Sequence, residues 1–230
     1  MKANCRQYNW FLAAAVMLAF VFAMGGVAVA QQQPSRQAAS AQPGKFCFLI
    51  FAGADEEIVR QLAPAIESEF GFAVEILEKR PKMPASAYDK KRKQYSAARV
   101  LEEAMSHRPA ECLRLLAFVP GDLFLGRQPF TFGLADTDWR GAVVSFARIG
   151  SGERQRFFLR AFKLSMHELG HTFGLGHCAL PHTECIMPPP RGISELDAAP
   201  NFFCRSCRKK LDDAIRQLRV ELADTASAAK

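Results

Sequence analysis

The chain has 230 residues and a formal net charge of +7, from 30 basic and 23 acidic side chains. Setting aside residues 1–30 removes Lys2 and Arg6 and no acid, so the charge falls from +7 to +5. That is a mildly basic surface and not a nucleic-acid footprint, and the about 185 residues after position 44 suffice for one domain with its own core and no internal repeat.

Residues 1–30 read as a targeting leader. A short basic start precedes an apolar run from Trp10 to about Val29, and Ala28-Val29-Ala30 offers a small-x-small cleavage site. The run approaches the length that spans a bilayer, so an uncleaved anchor is the alternative, and membrane association is expected only in that case. Cleavage is favoured by Gly25-Gly26 and the Ala-x-Ala site, and it places the protein outside the cytoplasm, periplasmic or secreted. Residues 31–44 are rich in Gln, Ser, Ala and Pro and read as a flexible tether. The domain is expected over residues 45–220, with a frayed tail over 221–230.

Residues 45–52 form a continuous run of bulky apolar side chains, the pattern of a strand buried on both faces. Asp55 suits the N-cap of a helix that runs to about Phe70 and stops at Gly71. Residues 72–77 give a second strand, so strand, helix and strand predict a parallel pair joined by a crossover. Residues 88–107 have a helical and basic pattern, and their Lys90-Lys91-Arg92-Lys93 run reads as a solvated face. Residues 113–119, 130–135 and 142–148 read as further strands, with a turn at 120–124. Residues 151–156 are a polar loop before a helix over about 157–173. Ser194 or Asn201 would cap a short helix, and the last helix covers about 208–223 with Leu211, Ile215 and Leu218 on one face.

The helix over 157–173 carries His167-Glu168-Leu169-Gly170-His171, and the chain continues through Gly174 to His177. Histidines four apart project from one helix face and can share a metal ion, while Glu168 is placed to take a proton from water. Gly174 allows the left-handed turn that brings His177 back as a third ligand. A bare HExxH occurs by chance in many helices; the added glycine and third histidine are far more demanding. Phe158, Phe162, Met166, Leu169 and Phe173 form an apolar stripe opposite the histidines, which leaves the imidazoles facing a cleft. Three protein ligands and one open position describe a catalytic zinc.

Downstream come Cys178, Cys185-Ile186-Met187 and Cys204-Arg205-Ser206-Cys207. With His167–His177, this arrangement resembles the archaemetzincins, a metzincin-type family of zinc metalloproteases. The resemblance implies an α+β metzincin-like domain with a mixed twisted sheet and two zinc sites. It implies that His167, His171 and His177 hold the catalytic zinc, that Glu168 is the general base, and that Met187 lies beneath the metal. It further implies a second, structural zinc on Cys178, Cys185, Cys204 and Cys207. Six residues separate Cys178 from Cys185 where the family usually has four, and the extension brings His182 within reach as a competing ligand. Asp122-Leu123-Phe124, the Phe130–Ala135 segment and Ser145–Arg148 are also similar to family segments, and one of the last two is expected to line the cleft and pair with an extended substrate.

Beyond the leader the cysteines are Cys47, Cys112, Cys178, Cys185, Cys204 and Cys207. In an exported protein disulfides are the default for an even count. The Cys-x-x-Cys pair suits a tetrahedral metal better, so the last four stay open between zinc and oxidation. Cys47 and Cys112 read as small buried residues, able to form a disulfide if their strands are neighbours. The expected activity is zinc-dependent hydrolysis of peptide or protein substrates by a monomer. The alternative is a catalytically weak or inactive zinc-binding module that recognises peptides without cutting them.

Overall fold

A computed structural model describes residues 44–228, so the leader and all but the last residue of the tether lie outside the described residues. β1 (Lys45–Ile50) opens the domain with five consecutive fully buried residues from Phe46 on. α1 (Glu56–Phe70) starts where the Asp55 carboxylate accepts the Ile58 N–H at 3.0 Å, and stops at Gly71, which is left-handed at φ 70°. The crossover lands on β2 (Ala73–Ile76), parallel to β1. Local capping chemistry thus sets both ends of this helix.

The reading of residues 88–107 as one helix is corrected. Residues 88–96, nearly half of it, are a hairpin, β3 (Tyr88–Asp89) and β4 (Gln94–Ser96), and α2 covers only Ala97–Met105. The Asp89 side chain accepts the N–H groups of Lys91 and Arg92 at 2.8 and 3.0 Å, and Lys93 turns left-handed at φ 56°. An aspartate that bonds its own downstream backbone competes with helix. The hairpin is then held by distant partners, since Gln94 donates to Asp122 at 2.9 Å and to the Pro129 carbonyl at 2.8 Å. No local pattern announces those contacts.

β5 (Cys112–Val119) is buried along its whole length, β6 (Leu123–Phe124) joins the hairpin, and β7 (Gly133–Asp136) pairs antiparallel with β8 (Gly141–Ser145). The five-stranded sheet runs β2-β1-β5-β8-β7, so β7 is an edge. One face packs on α1, α3 (Arg154–Thr172) and α5 (Arg205–Ala228), the other on α2. On the α2 side Cys47 and Cys112 form a disulfide between the adjacent strands β1 and β5, with Cα atoms 5.8 Å apart.

Further boundaries differ, beginning with the strands expected over 130–135 and 142–148, which are Gly133–Asp136 and Gly141–Ser145. α3 begins at Arg154 and not 157, and α4 (Ile193–Ala198) is preceded by Gly192, not capped by Ser194 or Asn201. α5 takes Cys207 into its first turn and continues to Ala228, through most of the stretch expected to fray. Leu211, Ile215 and Leu218 bury one side of α5, while Lys209–Asp213 and Arg208–Asp212 pairs line the other. Among the described residues no helix is long and apolar enough to cross a membrane.

Candidate active site

α3 presents His167 and His171 one turn apart, with their Nε2 atoms 3.0 Å from each other. Gly174 adopts φ 81° and returns the chain so that the His177 ring lies 4.8 Å from that of His171, centroid to centroid. The Nδ1 atoms of His167 and His171 face the carbonyls of Ile186 and Leu175 at 2.9 and 2.6 Å. A carbonyl only accepts, so both Nδ1 atoms carry the proton and both Nε2 atoms are bare lone pairs. Two lone pairs at 3.0 Å repel unless a cation lies between them. Burial, aided by the neighbouring imidazoles, pushes His167 down to about 3, and burial lowers His171 and His177 as well. Neutral imidazoles that each offer a ring nitrogen, all within 4.8 Å of one another, are the donor set that zinc takes.

Glu168 is buried beside them, and burial pushes its carboxyl up to about 8. Its neighbour is the first residue of the edge strand. A Cβ on Gly133 would lie 2.5 Å from Glu168 Oε1 and 2.6 Å from the Val143 carbonyl. Glycine is required there by close approach, and it brings the backbone of β7 against the carboxyl. The strand is fixed at both ends, because Thr131 Oγ1 donates to the Gly133 carbonyl at 2.6 Å and Thr137 Oγ1 to the His171 carbonyl at 3.0 Å. The cleft of about 1150 Å³ over the histidines is walled by β7 and the Phe130–Phe132 segment on one side and by the Leu180–His182 loop and Pro188–Pro190 on the other.

The stretch Cys185-Ile186-Met187 touches everything at once. The Ile186 carbonyl orients His167, and Met187 is fully buried under Gly170, where a Cβ would come within 2.9 Å of its Sδ. Cys185 Sγ accepts the N–H groups of Met187 and Cys204 at 3.5 and 3.4 Å. The sulfurs of Cys178, Cys185, Cys204 and Cys207 are unbonded and lie within 4.8 Å of one another. The Cys178–Cys204 separation of 3.9 Å is near the about 3.8 Å edge of a tetrahedron with ~2.3 Å zinc–sulfur bonds, and far above the ~2.05 Å of a disulfide. The Cys207 N–H draws Cys204 down to about 7, whereas burial raises Cys185 and Cys207.

His182 lies on the cleft wall but outside the imidazole trio; its Nε2 is 3.2 Å from Glu195. The segments similar to family motifs turn out to be ties. Arg148 grips Asp122 with two bonds of 2.7 Å and covers the Phe130 ring at 4.1 Å, and Ser145 Oγ donates to the Gly121 carbonyl. These hold the loop that precedes β7. Behind α3, Arg160 makes a bidentate pair with Asp197 at 2.6 and 2.7 Å, and Lys163 donates to the Leu196 and Asp197 carbonyls. The apolar spacing of α3 gave no hint of these last two residues.

A family model described as peptidase family M54 matches residues 47–213. The chain belongs to that family. Among its relatives, the archaemetzincin of Methanopyrus kandleri is 37% identical over 150 residues, 65% of this chain and 84% of that protein. The archaemetzincin of Halobacterium salinarum is 32% identical over 161 residues, 66% and 90% of the two chains. The crystal structure of the M. kandleri protein superposes with a TM-score of 0.70 at 33% identity, covering 78% of this chain and 99% of that one. The Archaeoglobus fulgidus archaemetzincin, solved with malonate, superposes at 0.65 and 25% identity, covering 72% and 99%. The M54 chain is therefore a zinc metallopeptidase with a metzincin-like α+β fold.

Proposed function

We propose that this chain hydrolyses peptide bonds in extended peptides laid along β7, with Glu168 as general base and with His167, His171 and His177 holding the zinc. Zinc supplies a Lewis acid for the scissile carbonyl and makes water more acidic. Burial disfavours a charged Glu168, and a cation on the three imidazoles offsets that cost. The carboxylate takes the proton of the attacking water and returns it to the departing amine. Among the described residues no strand pairs with the outer edge of β7, which offers backbone donors and acceptors to the substrate. One observation carries this reading: Gly133 sets the edge strand directly against Glu168, which adjoins the imidazole trio.

The test is incubation of zinc-loaded protein with a diverse peptide mixture and identification of new termini by mass spectrometry. Cleavage at internal bonds supports the reading. Peptides retained on the protein but uncut would make it a recognition module. A sharper check is Gly133→Ala, whose methyl must displace β7 from Glu168. A displacement on the order of 1 Å lowers kcat/KM about 10²-fold. Zinc content stays as in the wild type, and activity within a factor of two would disconnect β7 from catalysis.

The same proposal places a second zinc on Cys178, Cys185, Cys204 and Cys207, and places the monomeric protein outside the cytoplasm. The Cys47–Cys112 disulfide suits an oxidising compartment. Mature protein from the producing cell is expected to begin at Gln31, and N-terminal sequencing that still reads the apolar run would replace release by anchoring.

A further inference from the structure

Arg114 projects from β5 into the face that carries α3, and is 7% exposed. Its Nη1 donates to the Leu113 carbonyl at 2.7 Å, and its guanidinium covers the Phe173 ring at 4.4 Å. Its Nε is buried without a partner, and among the described residues no acceptor bonds its Nη2. The unused Nε–Nη2 edge is the fork with which arginine grips carboxylate and phosphate oxygens. Among the described residues no carboxylate bonds it.

Two more arginines stand nearby. Leu115 pairs with Gly141 and donates its N–H to the Arg140 carbonyl at 3.1 Å, so Arg140 and Arg114 occupy neighbouring places on adjacent strands. Arg108 bridges the same two segments, donating to the carbonyls of Cys112 at 3.0 Å and Trp139 at 3.1 Å. Arg140 is left-handed at φ 57°, in the Thr137–Arg140 turn where glycine would sit without strain. Within that turn the Asp136 carboxylate is taken by the Trp139 N–H at 2.7 Å. Burial, with Arg140 and Arg108 adding repulsion, pulls Arg114 down to about 10, and among the described residues Glu221 is the lone acid acting on it, as the weakest influence. Like charges are gathered here, one of them on a strained residue, around a buried guanidinium edge that no acceptor among the described residues takes.

We propose that Arg108, Arg114 and Arg140 form a binding site for an oxoanion, a carboxylate or phosphate group, at the end of the cleft past Thr137. Thr137 lines the cleft and bonds the His171 carbonyl, while Phe173, under Arg114, closes the histidine helix. The group is either a free small anion or an acidic group carried by the substrate. At about 3.3 Å per residue, a peptide along the four residues of β7 brings a side chain roughly five positions from the scissile bond to this site.

The first arm of the test does not depend on the peptidase reading. Thermal melting of the full chain is followed in millimolar sodium sulfate against sodium chloride at equal ionic strength. Wild type is expected to gain a saturable rise in melting temperature. Arg140→Gly, which suits the left-handed backbone, should need about tenfold more sulfate, the loss of one charge-assisted contact. Arg114→Met should not respond, and if it does not fold, Arg140→Gly alone decides. Sulfate exclusion from the surface acts alike on all three proteins. The second arm rests on the proposed activity and compares peptides with Glu or Gln about five residues to either side of the cut. A Glu advantage in kcat/KM that vanishes in Arg140→Gly assigns the site to substrate; a sulfate response alone assigns it to a free anion. Equal responses of wild type and Arg140→Gly in both arms overturn the proposal.

Discussion

Glu168→Gln is expected to keep the zinc content of the wild type while kcat falls ~10²–10⁴-fold, the usual worth of a general base. Glutamine matches the shape of glutamate but cannot take a proton. The change should be tolerated structurally, because the carboxyl is already buried and raised to about 8 by that burial alone, so a neutral amide in its place removes a desolvation cost. Nor does it touch the ligand atoms, which converge from His167, His171 and His177. Zinc content by atomic absorption and kcat on a peptide found by mass spectrometry are the two measurements. A variant with kcat within a factor of two of wild type would leave Glu168 without its role.

The sulfur cluster carries the second large effect. With zinc on Cys178, Cys185, Cys204 and Cys207, the protein should hold two zinc ions per chain, one of them tetrahedral with four sulfur ligands. Denaturation without reductant should then expose those four thiols, Cys47 and Cys112 remaining joined. Structural zinc contributes to folding free energy directly, and only part of its ~10 kcal/mol need be lost for Cys185→Ser to lower the melting temperature by about 10 °C. Cys185 is the informative position. It is two residues from Met187 and next to Ile186, whose carbonyl orients His167, so the variant should also weaken zinc on the histidines. One zinc per chain and no thiols after denaturation would mean that the four cysteines are oxidised.

What could be read from the sequence was whatever a few neighbouring residues decide among themselves. His167 and His171 share a face because a helix repeats every 3.6 residues. Asp55 and Gly71 end α1 because a capping carboxylate and a left-handed glycine act on the adjacent turn. The runs at Lys45–Ile50 and Cys112–Val119 are strands because only a fully covered sheet buries so many consecutive apolar residues. The similarity of the Cys-x-Met and Cys-x-x-Cys stretches to a known family extended this reach to pairs far apart in the chain, and the sulfurs do converge.

Tertiary structure alone decided the rest. The basic stretch at 88–96 is a hairpin because Gln94 finds Asp122 and Pro129, some 30 residues on. Which of the two strands borders the cleft depended on sheet order, and β7 is the edge. Cys47 and Cys112 bond because β1 and β5 are neighbours. His182 meets Glu195, not the imidazole trio, and Gly133 meets Glu168, through contacts that no local pattern encodes. Helical period and capping are set by energies within one turn of chain, whereas these partners are chosen by the packing of whole elements on one another.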